Sequence, residues 1–347
     1  VRLADFDGDG LADIVTGWEE SGVIRLYLNP GSHDATSNWP AVSVGRAPSP
    51  EDAVPVDVDQ DGRLDILSCH EGKTRKVLVH FNRADSAAGL LKASNWETVE
   101  FSQLTGQAWM FAVPVMLPGS RRAIVVGSKG AQASITLLIS PQHPSTDLAD
   151  WKTIRLRDAG WIMSLRVWDI DADGDEDVVY SDRKGNLRGV GWLQQPDEPS
   201  LPWIDHSIGG GEYEVMFLDV VESRAGQRPK ILVSTRNSIW IEYEHRDGQW
   251  IASVSPNPVS VPHGKAIARL SPREWVMTAN THSGGVDRLP GVWLRRDQQP
   301  WQAIGGPQGG KYDRIEVIDL NGDRHPDVLT CEERQNLGVI WYENPGR

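Results

Sequence analysis

Four nine-residue acidic stretches recur along the chain: Asp5-Phe-Asp7-Gly-Asp9-Gly10-Leu-Ala-Asp13, Asp57-Val-Asp59-Gln-Asp61-Gly62-Arg-Leu-Asp65, Asp169-Ile-Asp171-Ala-Asp173-Gly174-Asp-Glu-Asp177 and Asp319-Leu-Asn321-Gly-Asp323-Arg324-His-Pro-Asp327. In each, side-chain oxygens stand at positions 1, 3, 5 and 9, the donor set of a hard cation with about six to eight oxygen ligands, and calcium fits best. Glycine at position 6 (Gly10, Gly62, Gly174) supplies the positive φ that folds a loop around an ion. The fourth stretch has Arg324 there and Asn321 at position 3, so its site is expected to be the weakest or empty. No helical pattern flanks the loops, and the ninth residue closes them in place of a twelfth-position Glu, so they are not EF-hands. A bare Asp/Gly turn between strands is the other reading, and four copies in phase argue against it.

A tryptophan series sets the same period. Trp39, Trp96, Trp151, Trp203, Trp250 and Trp301 each head a short alternating segment such as Trp96-Glu-Thr-Val-Glu-Phe. Their spacing of about 50 residues is that of sheet-repeat arrays, in which one small sheet cannot bury its own faces. From Asp57 to Asp169 is two such steps and from Asp169 to Asp319 three, which makes seven units. Units three, five and six have Val115-Met-Leu-Pro-Gly, Asp219-Val-Val-Glu-Ser and Leu270-Ser-Pro-Arg in place of the acidic loop. Within a unit the pattern is strand, acidic loop, strand, turn, strand, longer loop and Trp-headed strand, with segments too short and too β-branched for helices. The expectation is an all-β, seven-bladed β-propeller of four-stranded blades with calcium-binding loops, occupying residues 1–347 as one domain. The last blade lacks its outer strand in this chain, which points to residues missing at one end, where a signal peptide could have stood.

The acidic loops, with Asn29-Pro30-Gly31 and Trp341-Tyr-Glu-Asn-Pro-Gly346 after third strands, resemble FG-GAP/VCBS repeats with integrin-like calcium loops over nearly the whole chain. That resemblance implies fold and calcium rather than one activity, since the family includes integrin heads, lectins and enzymes.

The formal net charge of −13 argues against a nucleic-acid partner. No apolar run is long enough for a membrane span. Cys69 and Cys331 fall at the same place in units two and seven and are expected to be separate buried thiols. Calcium loops of modest affinity suit millimolar calcium, which places the protein outside the cell or in the periplasm.

The resemblance also implies that the calcium loops join first to second strands on the bottom face and that function lies on the top, at the channel mouth. The loops expected there carry Glu19, Glu20, His70, Glu71, Lys129, Asp182, Arg183, Arg236, Asn237, Asn280, His282, Glu332, Glu333 and Arg334, and ahead of the first strands Glu51, Trp109, Trp161, Tyr213, His263, Lys265, Tyr312 and Asp313. Aromatic faces that stack on a pyranose, charged groups that bind its hydroxyls and arginines that clamp a carboxylate suit a carbohydrate, and Arg183, Arg236 and Arg334 suit an acidic one. Of the fifteen tryptophans, Trp18, Trp109 and Trp161 are the expected sugar platforms, the others packing between blades. His70, beside Glu71 and near Glu19 or Glu20, is the candidate base, with Tyr213 or Tyr312 as acid for β-elimination at a uronate. Resemblance to propeller polysaccharide lyases and to the propeller of aldos-2-ulose dehydratase supports that chemistry. A glycosidase using two of Glu20, Glu71, Asp182 and Glu332 ranks below it. His263 and His282 could instead hold a transition metal. Neither a Gly-x-Ser-x-Gly elbow nor a phosphate-cradling loop is present. The reading from another class is a non-catalytic adhesion or scaffold propeller that binds protein.

Overall fold

The computed structural model describes residues 1–198, 201–223, 227–258, 261–281, 290–306 and 310–346. Seven successive sheets follow the chain, each of its strands hydrogen-bonded to the next in sequence. Sheet one is Arg2–Ala4, Asp13–Trp18, Val23–Tyr27 and Ala41–Arg46; sheet two is Pro50–Val56, Asp65–His70, Val77–Asn82 and Trp96–Glu100. Six sheets have four strands, and the seventh has three, Tyr312–Ile318, Asp327–Glu332 and Gly338–Tyr342. This is the seven-bladed all-β propeller fold that the repeat predicts. Where the acidic loop is missing, the first and second strands are joined by plain turns, as after Leu117 and Ser271. The Trp-headed segments are the outer strands, although Trp39, Trp151, Trp203 and Trp301 fall just before Ala41–Arg46, Lys152–Asp158, Ile204–Gly209 and Gln302–Ala303.

The strand sequences explain the layering. Asp65–His70 is buried at every position, because alternate side chains face opposite neighbours. Ile66 packs with Val15, Ile24 and Leu26 of sheet one, while Leu67 packs with Ile124, Val126 and Leu138 of sheet three. In sheet five, Ile231 joins Val179 and Trp192 of sheet four, and Leu232 joins Ile267 and Met277 of sheet six. A strand buried on both faces reads as a continuous apolar run, and a single sheet could not supply either partner surface.

The chain gathers into two compact units, one of Val1–Ile162 with Pro196–Pro202, the other of Met163–Gln195 with the chain from Trp203 onward. In the first, Arg2 Nε donates to Asp52 Oδ1 at 2.9 Å and its Nη2 to the Ala112 carbonyl at 2.9 Å, tying together the first strands of three sheets. In the second, Arg166 meets Glu316 at 3.6 Å, and Arg314 pairs with the same carboxylate. Both cysteines are free. Among the described residues no helix is long and apolar enough to cross a membrane.

Candidate functional sites

Each acidic loop joins the first strand of its sheet to the second, and its backbone is folded by positive φ at two positions. Position 6 has φ of 87°, 89° and 99° at Gly10, Gly62 and Gly174, and Arg324 takes the same region at 71°. Position 4 does so as well, at Gly8 (78°), Gln60 (63°), Ala172 (64°) and Gly322 (78°). The first-position aspartate closes the turn, as Asp5 accepts from the amides of Gly8 and Gly10 at 2.7 and 2.9 Å.

The ninth-position aspartates have a second task that the ligand pattern alone does not reveal. Each is buried and accepts two backbone amides, one from the loop and one from the end of the third strand. Asp13 takes Phe6 and Asn29, Asp65 takes Val58 and Asn82, Asp177 takes Ile170 and Gln195, and Asp327 takes Leu320 and Asn344, all at 2.8–3.1 Å. The amide side chain after the third strand completes the clamp: Asn29, Asn82, Gln195 and Asn344 donate to the carbonyls of Ala12, Leu64, Glu176 and Pro326. The signal was present in Asn29-Pro30-Gly31 and Asn344-Pro345-Gly346. Burial pushes Asp65 and Asp177 up to about 7 in spite of these amides, a cost that a bound cation would reverse.

The loops differ in how their remaining oxygens are answered. Asp5, Asp7 and Asp13 converge within 4.8 Å, as do Asp169, Asp171 and Asp177. In loop three the buried Asp169 Oδ1 and Asp171 Oδ1 have no hydrogen-bond partner. Such orphaned carboxylate oxygens are what a hard cation would satisfy, so this donor set fits the metal. In loop two Asp57, Asp59 and Asp61 converge, but Arg122 pairs with Asp57, Arg83 with Asp59 at 2.6 Å, and Arg63 with Asp61. In loop four the Asn321 amide donates to Asp323 at 3.4 Å and Glu343 at 3.2 Å. The fifth-position Asp9, Asp173 and Asp323 accept the amide two residues on, at 2.8–3.1 Å.

At the opposite strand ends, the residue after a second strand is fixed against the segment before the first strand of its own sheet. Glu71 N donates to Ser49 O, Arg236 N to Glu214 O and Asn280 N to His263 O, each at 3.0 Å. Two side-chain clusters result.

In the first unit, carboxylate oxygens of Glu19, Glu51 and Glu71 lie within 4.8 Å of one another. Lys129 pairs with Glu71, stands 3.8 Å from Glu51, and lies 4.5 Å from the centre of the half-buried Trp161 ring. Burial, and then the Glu71 charge, push Glu51 up to about 8, so it holds its proton beside the other two. Glu20 is exposed and is not part of this group; Glu19, one residue earlier, takes its place. Trp18 is half-buried at the end of its strand.

In the second unit, Arg183 Nε donates to Glu214 Oε2 at 3.0 Å and Arg236 reaches the same oxygen at 3.3 Å. Lys265 pairs with Asp313 and Lys311 with Glu333. His263 is buried among these charges.

Several expected site residues belong to the frame instead. His70 has no exposed surface. The Pro48 carbonyl, which can only accept, takes the Nδ1 proton at 3.0 Å, so Ser68 donates to Nε2 at 2.8 Å. Ser68 in turn accepts from His80 at 2.9 Å, whose other nitrogen meets Thr98 at 2.8 Å. Both rings are thus spent within the blade, and burial lowers the His70 pKa, so it is no accessible base. Trp109 is 1 % exposed and donates to the Leu104 carbonyl at 2.8 Å, and Tyr312 is equally buried, its ring filling the space left by Gly291. Neither can meet a sugar. Tyr213 is half-buried against the cluster around Tyr243. Glu332 receives backbone amides of Gly310, Lys311, Arg334, Gln335 and Leu337 and organises a loop. Asp182 is fully buried, and Arg334 is exposed. The elimination and glycosidase assignments therefore lose most of their residues. His282 lies outside the described residues.

A family profile described as FG-GAP-like repeat matches residues 5–68, which span the first two acidic loops. The chain is a β-propeller of the FG-GAP kind. No curated protein sequence matches this propeller. Solved structures similar to it include the BP39L lectin from Burkholderia pseudomallei, at 14 % identity and TM-score 0.61, covering 99 % of this chain and 96 % of that one. The β-propeller domain of Myceliophteria thermophila Cps50 (Swd1) is 12 % identical with TM-score 0.54 over 99 % of both chains. BBS1N, solved in complex with ARL6DN, is 11 % identical with TM-score 0.56, covering 100 % and 92 %. At these identities the likeness is one of fold.

Proposed function

We propose that this FG-GAP propeller is a calcium-stabilised carbohydrate-recognition protein that works outside the cell or in the periplasm. The observation that carries the sugar reading is the first-unit cluster. The half-buried Trp161 indole lies 4.5 Å from the Lys129 ammonium, which pairs with Glu71 and stands 3.8 Å from Glu51, a carboxyl that keeps its proton. Sugar hydroxyls need a donor and an acceptor side by side, and the pyranose C–H face needs an aromatic ring. The fold it shares with a lectin supports the reading. Calcium is supported by the unsatisfied oxygens of Asp169 and Asp171, and its part is structural, closing acidic loops at the strand ends away from the sugar.

A glycan array followed by calorimetry on the best ligand tests this. Trp161→Ala and Glu71→Gln should each weaken binding at least tenfold with thermal unfolding unchanged. A protein that binds no glycan but captures a partner protein through this face would instead be a scaffold, as the fold it shares with BBS1N also allows.

A further inference from the structure

We infer that the basic cluster around His263 in the second unit is a binding site for a carboxylate monoanion that carries a hydroxyl beside the carboxylate, as a uronic acid does. His263 is 7 % exposed, and neither ring nitrogen has a hydrogen-bond partner. A buried imidazole with both nitrogens unsatisfied is rare, because each forgoes the hydrogen bond it had in water. The ring points to a missing partner.

The surroundings say what that partner is. Lys265, Arg236, Arg183 and Lys311 all act on the ring with positive charge. Glu214 answers the two arginines, and Asp313 and Glu333 answer the lysines. Among the described residues the four cations are each held in an ion pair around the ring, a frame that suits a small anion with a hydrogen-bonding group beside its charge. The same cations would repel a transition metal, so the metal role considered for His263 from the sequence does not hold. Burial first, and then the four cations, lower its pKa to about 3, so the ring is neutral and offers one N–H and one lone pair. A carboxylate oxygen would take the N–H, and an adjacent hydroxyl would donate to the lone pair. Arg183 and Lys265 are each 7 % exposed, so these charges sit in a frame rather than on a loose surface.

The frame is rigid where it matters. Asn280 N holds the His263 carbonyl at 3.0 Å and pairs across to Lys311, while Ser238 N holds Pro262 at 3.0 Å beside the Arg236 loop. Residues from three successive sheets are thereby stitched around one ring by backbone bonds that do not depend on a ligand.

The test is calorimetry on the calcium-loaded full chain with sodium D-glucuronate, D-glucose and inorganic phosphate, alongside the His263 ring resonances. Glucuronate should bind and shift those resonances, glucose should not shift them, and phosphate should bind at least tenfold more weakly than glucuronate. Arg236→Ala, whose side chain is 36 % exposed and whose loss should leave the fold intact, should weaken glucuronate at least tenfold, as should His263→Phe. Unmoved ring resonances, phosphate binding as tight as glucuronate, or glucuronate binding that survives both variants would overturn the assignment. The inference stands apart from the first-unit sugar reading: failure of Trp161→Ala to affect glycans would sink that reading and leave this one untouched.

Discussion

The two units carry the same strand frame and opposite chemistry. In the first, three glutamates crowd one lysine at the strand ends, and the carboxylates of loop two are answered by arginines. In the second, four cations surround one histidine, and carboxylate oxygens of loop three are left unanswered. Each end cluster forces its central group to the uncharged form, Glu51 by excess negative charge and His263 by excess positive charge, burial being the larger cause in both. The frame fixes where side chains emerge, and the sign of the charge placed there decides what each end can bind.

The frame itself should be indifferent to the unit. Asp65→Ala and Asp177→Ala each strip the acceptor from two buried amides, at about 1–3 kcal/mol per unsatisfied group, so each should cost ~3 kcal/mol or more in chemical denaturation with chelator present. Equal losses would mark the clamp as common to both units. A loss seen only when calcium is present would mean that these residues act through the metal alone.

Calcium should divide the loops. Chelation should lower the unfolding temperature, since an ion held at a free concentration of about a hundred times its Kd stabilises by ~2.7 kcal/mol. Asp171→Ala should remove one bound calcium by mass spectrometry, while Asp59→Ala should remove none, because Arg83 and Arg122 already bring fixed positive charge to Asp59 and Asp57. Calcium retained in full by Asp171→Ala would break the contrast.

The end clusters predict opposite pH dependences. Glu51 has its pKa raised from 4.5 to about 8, so the folded state binds the extra proton and stability should fall as pH rises through that window. Glu51→Gln should flatten this fall, by on the order of 2 kcal/mol between pH 5 and 8. His263 has its pKa lowered from 6.5 to about 3, so stability should be complete above 6.5 and decline as pH falls, by roughly 2 kcal/mol at pH 5. His263→Phe should abolish that decline. Slopes of the same sign in Glu51→Gln and His263→Phe would mean that the two fields do not oppose each other.

Much of this frame was legible in the sequence because it repeats. The acidic loops and the tryptophan period set the number of sheets and their strand order, since a period survives local variation. Individual sites were less legible. His70 and Trp109 fall at strand ends where a blade pattern places loops, yet whether a side chain turns inward depends on local packing partners such as Ser68 and Leu104, which spacing does not encode. The role of Glu51 was equally hidden: it became central only when Glu19 and Glu71, far apart in the chain, met it.

The smallest effect tests whether loop two lost its ion to arginine or never fitted one. Its backbone matches the others, with φ of 63° at Gln60 and 89° at Gly62, and its Asp59 Oδ1 is buried without a partner, as in loop three. What differs is Arg83 and Arg122, which bring fixed positive charge to Asp59 and Asp57. These pairs are partly exposed, so removing one should change stability by less than ~1 kcal/mol. Arg83→Ala should nonetheless raise calcium stoichiometry by one, because the vacated Asp59 oxygen rejoins a donor set that the loop still holds. If the double variant Arg83→Ala/Arg122→Ala binds no further calcium, the arginines are not what separates loop two from loop three.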